Sequence, residues 1–509
     1  MCRTINIYNI IGGEFLKNKS VLYIIVFLLC FNLAGCKENL KFNPTLITKD
    51  FNGVDLERVN NYEIQVGFNP ETKTYTAKQK TKYINSTGES LKEIYFHLYP
   101  RAYSSVETAP ILFDNITITK EDYNTGKMEI ESVKVNKKDM NFEIGGATDT
   151  ILRIPLDTPL EAGKDIEIYM EYMVELPQNI DRFGYGDNVF NFGNWYPVLA
   201  VFDEKGWNLD PYYTLGDPFY SDIANYQVEI TTPENIVVAA SGNIRSEKVK
   251  NHKKTYNIEG KLIRDFAWVA SPDFNVKEVM VGDTQVKVYS LKKDLAMEKF
   301  ATEVGVNSIE IFSRIFGQYP YGQYSIVMTD FPTGMEYPGL VFIGKELYNS
   351  YYKDSLEVVI VHETAHQWWY GVVGNDQIDE AWLDEALATY SETIYINEKY
   401  GPDRGEDYYN YSVEAGYEYG KDILSKATKV VKPLDEFSGW DDYGLLVYTK
   451  GAMFLGEIKK EFGEEVLYDI LNKYYNRYKF HIAKTEDFLK VCEEVTGVSF
   501  KELAGKWIY

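Results

Sequence analysis

Cysteine is nearly absent from this chain: there are 4 in 509 residues, and three of them fall within the first 36 positions. That distribution excludes a disulfide framework for the body of the protein, where Cys492 stands alone in a helix-like stretch with no histidine near it and reads as core packing, not as a nucleophile. Histidine is almost as rare, with 5 residues in all, so any two at ligand spacing are informative. Positive charge is in deficit, 53 Lys and Arg against 76 Asp and Glu, for a formal net charge of -23. Such a surface repels phosphate backbones and anionic headgroups, which argues against nucleic-acid binding and electrostatic membrane adsorption; the acidity reads as a device for solubility. Internal repeats, low-complexity tracts and a second long apolar run are also missing. What remains is a globular composition, 45% hydrophobic and 25% charged, in a chain long enough for about two to four domains.

The one apolar run, residues 21–31, follows Lys17 and Lys19 and is too short to span a bilayer comfortably. It reads as an export signal. Leu33-Ala34-Gly35-Cys36 resembles the lipobox of bacterial lipoproteins, which implies acylation of Cys36 and a mature chain starting there. The expected location is the extracytoplasmic face of a bacterial membrane, with the lipid as anchor. Residues 1–35 are thus read as a lipoprotein signal peptide and residues 36–60, polar and irregular, as a tether.

Two textures follow. Segments 62–66, 74–83, 93–98, 151–154, 166–172, 226–230 and 236–240 show alternation or β-branched enrichment between turn residues, and predict a β-rich domain over 61–284. Segments 297–316, 356–371, 380–398, 446–462, 465–478 and 485–495 place apolar residues three and four apart, and predict a mainly helical domain over 285–509.

His362-Glu363-Thr364-Ala365-His366 carries the chemistry. Residues four apart on a helix share a face about 6 Å from each other, so both imidazoles reach one tetrahedral ion at roughly 2.0 Å, with Glu363 beside the open position. Eighteen residues after His366 comes Glu385, in a second helical segment packed by Trp382, Leu383 and Ala386. Two histidines and a carboxylate leave the fourth position open, as catalytic zinc requires. Asp384 beside it is either an alternative ligand, a group orienting a ligating imidazole, or part of a solvated helix face.

This pattern, H-E-x-x-H, eighteen residues, then E inside W-L-x-E-A, resembles the gluzincins of the M1 aminopeptidase family. Gly334-Met335-Glu336 is similar to the family's G-x-M-E-N segment, and Tyr448-Thr449-Lys450-Gly451 to its Y-x-K-G segment. Tyr95-Phe96-His97-Leu98-Tyr99-Pro100 and Asp265-Phe266-Ala267-Trp268 resemble pieces of its N-terminal β domain, so the likeness runs over residues 60–509. It implies a mostly antiparallel β domain followed by a thermolysin-like α+β catalytic domain, with the site in the cleft between them. It also implies one Zn2+ per chain held by His362, His366 and Glu385. Glu363 is implied as acid/base for the attack of zinc-bound water, Tyr448 as a donor to the oxyanion, and Gly334, Met335 and Glu336 as substrate-binding residues, Glu336 taking the α-ammonium. The sequence departs from the pattern at Thr333, where glycine is usual, and at Tyr337, where asparagine is usual. It ends at a segment resembling the close of the catalytic domain, which implies a short form lacking the family's C-terminal helical domain.

The leading reading is a zinc aminopeptidase acting on peptides. A zinc endopeptidase or a dipeptide-releasing enzyme shares the metal chemistry, and an inactive peptide-binding lipoprotein shares only the fold. The response of cleavage to a blocked N-terminus separates the first two; turnover itself separates the third.

Overall fold

The computed structural model describes residues 43–110, 124–291, 295–424 and 428–509. The signal segment and Cys36 lie outside the described residues. Among those residues, no helix is long and apolar enough to cross a membrane.

The N-terminal half is built on an eight-stranded sheet. Its order is Asn243–Lys250, Lys253–Ile263, Ala224–Pro233, Asn60–Asn69, Thr74–Ile84, Asp165–Glu175, Lys127–Val135 and Lys138–Asp139. The pairing is antiparallel throughout, except that Asn60–Asn69 runs parallel to Ala224–Pro233. The central long strands alternate. In Asn60–Asn69 the residues Tyr62, Ile64, Val66 and Phe68 are buried, while Glu63, Gln65 and Gly67 face water. A period of two places one row of side chains on each face, so a half-polar strand settles with its apolar row inward.

Two four-stranded sheets cover that inner face, one ordered Val237–Ala240, Trp268–Ser271, Phe190–Phe192, Phe183–Tyr185 and the other Val198–Leu199, Leu91–His97, Ile151–Leu160, Glu143–Gly145. The core between them is aromatic, with Phe192 stacked on Trp268 and Trp195 set edge-on to it. The outer face of the large sheet forms an open concavity of about 780 Å3 lined by charges of both signs, among them Glu63, Lys80, Glu229 and Arg245.

The C-terminal half has a five-stranded sheet ordered Asn275–Val281, Thr284–Ser290, Gln323–Thr329, Leu340–Gly344, Gly334–Met335. The central three strands are parallel and both edges antiparallel. The helices that matter for the site are α1 (Leu295–Ile315), α2 (Lys353–Ala365) and α3 (Trp382–Tyr400). A β domain followed by a mainly helical domain is thus the observed architecture.

Three boundaries differ from the sequence reading. The second sheet starts at Asn275, inside the range assigned to the first domain, because alternation in 275–281 marks a strand without saying which sheet it joins. The zinc-motif helix stops at Ala365 and not near 371, since Tyr370 takes a φ of 96°, incompatible with a continuing helix. Residues 43–59, within the stretch read as a tether, run along the protein: Thr45 is buried against Glu259, and Ile47 donates to the carbonyl of Pro320.

Candidate active site

Helix α2 is driven inward by Leu356, Ile360, Val361 and Ala365, all buried, and Thr364 is tied to Tyr324 by a 2.7 Å hydrogen bond. That burial fixes the rotation of the helix and aims His362 and His366 toward one point. Past the helix end, Gln367 accepts from the Gly339 amide at 2.7 Å and donates to the Tyr337 carbonyl at 3.1 Å. The turn that follows Gly334, Met335 and Glu336 is thereby tied to the end of the metal-motif helix. Helix α3 starts at Trp382, fully buried with its indole N–H on Thr485 at 2.8 Å, which sets the turn carrying Glu385. Trp369 closes the arrangement by donating to Ser391 of α3 at 3.1 Å.

The three expected ligands converge. His362 Nε2 and His366 Nε2 are 3.1 Å apart, and Glu385 Oε2 lies 3.2 Å from the first and 3.3 Å from the second. On the far side of each ring Nδ1 meets an acceptor, Glu392 Oε1 at 2.7 Å for His362 and the Trp369 carbonyl at 3.1 Å for His366. Each Nδ1 therefore carries the ring proton, and each Nε2 presents a lone pair. Two lone pairs and a carboxylate oxygen facing one another at this spacing repel unless a cation sits among them. A tetrahedral ion with ligands at about 2.0 Å has ligand–ligand edges of about 3.3 Å, so the residues present fit zinc with one position open.

Glu363 is buried at the edge of this triangle, and its Oε2 has no hydrogen-bond partner. Burial pushes its carboxyl up to about 7, against the pull of the two histidines. Gly334 covers it so closely that a Cβ there would meet Glu363 Oε1 at 2.1 Å. Tyr448, in a π-helical segment Gly444–Lys450, donates its hydroxyl to Glu385 Oε1 at 2.6 Å. The same cavity of about 220 Å3 takes in Met335, Glu336, Thr333 and Trp440.

Two further residues of this cavity come from the β-rich half and belong to no motif. Asp217, from the β-rich half, offers an oxygen within 4.8 Å of those of Glu336 and Glu385, and it is buried. Arg182, also from that half, is paired to Asp217 at 2.5 Å and donates to the sulfur of Met335 at 3.1 Å. Burial, then the neighbouring Asp217, holds the Glu336 carboxyl well above its ordinary range. Asp384 points away from the ligand triangle, accepting from Gln377 and from the Glu385 amide. Tyr337 donates to Asn194 of the β-rich half at 3.2 Å, so the residue that departs from the family pattern joins the two halves beside the site. Arg264 also joins the two halves, donating to the Tyr370 carbonyl at 2.9 Å and to the His481 carbonyl.

Residues 300–507 match the family described as the peptidase family M1 domain. The chain is 26% identical over 300 residues to Aminopeptidase M1-D of Oryza sativa subsp. japonica, covering 56% of this chain and 34% of that protein. It is 24% identical over 307 residues to the mitochondrial Aminopeptidase 2 of Saccharomyces cerevisiae, covering 56% and 31% respectively. The chain thus spans about a third of the length of these relatives. The fold is similar to that of an M1 zinc metallopeptidase from Deinococcus radiodurans, with a TM-score of 0.63 at 16% identity over 88% of this chain and 93% of that one. Residues 300–507 are thus similar to a peptidase family M1 domain, and the ligand triangle lies at the junction of that region with a β-rich half.

Proposed function

We propose that this protein is a zinc aminopeptidase that removes residues from the N-termini of peptides. The observation that carries the reading is the pair of buried carboxylates, Glu336 and Asp217, whose oxygens lie within 4.8 Å of each other and of Glu385. Two such groups side by side are costly without a compensating cation, and the α-ammonium of a peptide is a cation of the right size. Arg182 offsets part of the charge of Asp217 from behind.

The roles follow from position. His362, His366 and Glu385 hold the zinc. When bound there, the metal supplies Lewis acidity and lowers the pKa of a coordinated water toward about 7. Glu363 accepts a proton on its unpartnered oxygen and returns it to the departing amine. The Tyr448 hydroxyl, which rests on Glu385, swings to the developing oxyanion of the scissile carbonyl. Glu336 and Asp217 fix the N-terminus, which limits the site to the first peptide bond. The proposal extends to location: the lipobox-like Leu33-Ala34-Gly35-Cys36 supports export and a lipid anchor, which Cys36→Ala would abolish, releasing the enzyme from the membrane fraction.

A panel of peptides with free and N-acetylated termini, with and without chelator, tests the activity. Cleavage of free peptides only, abolished by chelator, is expected. Equal cleavage of both would make it an endopeptidase. Glu363→Gln should keep the zinc and lose turnover by about 10²- to 10⁴-fold.

A further inference from the structure

A carboxylate that recognises an ammonium group must be held in place before the substrate arrives. Around Glu336 this is difficult, because Asp217, Glu363 and Glu385 all repel it. Among the described residues, one side chain hydrogen-bonds the Glu336 carboxylate: the amide of Gln377, with Nε2 at 3.3 Å from Oε1. The same NH2 group donates to Asp384 Oδ2 at 2.7 Å, and Asp384 Oδ1 accepts the Glu385 amide at 2.9 Å. Both neighbours are carboxylates, so the amide must turn its NH2 toward them, and that assignment leaves Oε1 buried without a partner. An amide orphan at a fully buried position is a local cost that a purely structural residue would avoid.

The loop around Gln377 is rigid for its own reasons. Asp376 Oδ1 accepts the amides of Ile378 and Asp379 at 3.0 and 3.2 Å, and the Ile378 carbonyl accepts the Leu434 amide at 3.0 Å. Gln377 thus links Glu336, just past the edge strand Gly334–Met335, to the first turn of α3, which carries Glu385. Charge explains the residue type. A lysine here would neutralise Glu336 and compete with the substrate ammonium, and a glutamate would add one more repelling carboxylate. A neutral donor orients Glu336 and leaves its charge free for the ligand.

We infer that Gln377 is a positioning residue for N-terminal recognition, holding Glu336 in register with the metal site through a single bridging NH2 group. This rests on the aminopeptidase reading above. The test is Gln377→Met, close in size but unable to donate, with Gln377→Asn as the conservative variant. Both are assayed on an aminoacyl chromogenic substrate and on paired free and N-acetylated peptides, with zinc content and thermal unfolding measured alongside. In Gln377→Met, KM should rise about tenfold with kcat within about threefold of the wild type, and the preference for free over acetylated termini should fall by a similar factor. Zinc content should be unchanged, and Gln377→Asn should recover part of the KM. Wild-type KM and preference in folded, zinc-loaded Gln377→Met would overturn the role, as would a fall in kcat that tracks lost zinc. If the wild type itself cleaves both peptides equally, the aminopeptidase reading fails first and this role falls with it.

Discussion

Glu392 Oε1 lies 2.7 Å from Nδ1 of His362, and its other oxygen accepts the Tyr408 hydroxyl at 2.5 Å. The carboxylate fixes which nitrogen of the ring carries the proton and raises the basicity of the nitrogen that faces the metal position. Glu392→Ala should therefore weaken zinc binding by about 10- to 100-fold, and Tyr408→Phe should act in the same direction more mildly. Competition with a chromogenic chelator measures both; an unchanged zinc affinity in Glu392→Ala would refute the linkage.

Gly334 owes its identity to Glu363. Any Cβ at this position would press on the carboxylate at 2.1 Å. Gly334→Ala should displace Glu363 while leaving the ligand triangle intact, lowering kcat by about 10²-fold with normal zinc content. Single-turnover kinetics on the zinc-loaded variant decide the matter.

Tyr448 should respond differently. Tyr448→Phe removes a hydroxyl donor that rests on Glu385 at 2.6 Å and leaves the ring, which lies nearly parallel to that of His362. The expected outcome is a 10²- to 10³-fold loss in kcat with KM little changed. A change confined to KM would place the hydroxyl in ground-state binding instead.

His97 predicts a pH dependence of stability. It is buried and stacked on Tyr99, with Nε2 on the Asn208 carbonyl and Nδ1 lacking any partner. Burial lowers its pKa from 6.5 to about 4. Between those values the unfolded chain binds the proton and the folded chain does not. The stability is therefore fully present above about pH 6.5 and is lost as the pH falls toward 4, at about 1.4 kcal/mol per pH unit. Denaturant unfolding of the wild type and of His97→Phe at pH 7 and pH 5 tests this. The variant should lose less on acidification.

Much of the site can be read in one dimension because its geometry is local. His362 and His366 share a face by the pitch of a helix alone, and Glu385 brings a carboxylate on the next helix. Glu392 was legible in principle, since it stands seven residues after Glu385, two turns along the same face of α3. Asp217 and Arg182 were not: they are an acid and a base among many, more than a hundred residues upstream, and no periodicity marks them. The strand Asn275–Val281 looked like part of the first domain for a related reason, because alternation is the same whichever sheet a strand joins.

Composition, spacing and period by themselves determined that this is an acidic, cysteine-poor chain with a β-rich half, a helical half and an H-E-x-x-H helix followed by a carboxylate. These properties depend on neighbours within a few turns, where the covalent chain sets the distances. Tertiary structure alone decided which side chains outside the motif share the cavity. It set Gly334 against Glu363, Tyr448 on Glu385, Asp217 beside Glu336 and Gln377 between two carboxylates. These contacts arise from how sheets and helices bury their apolar faces against one another, and that packing is a property of the whole chain, not of any segment.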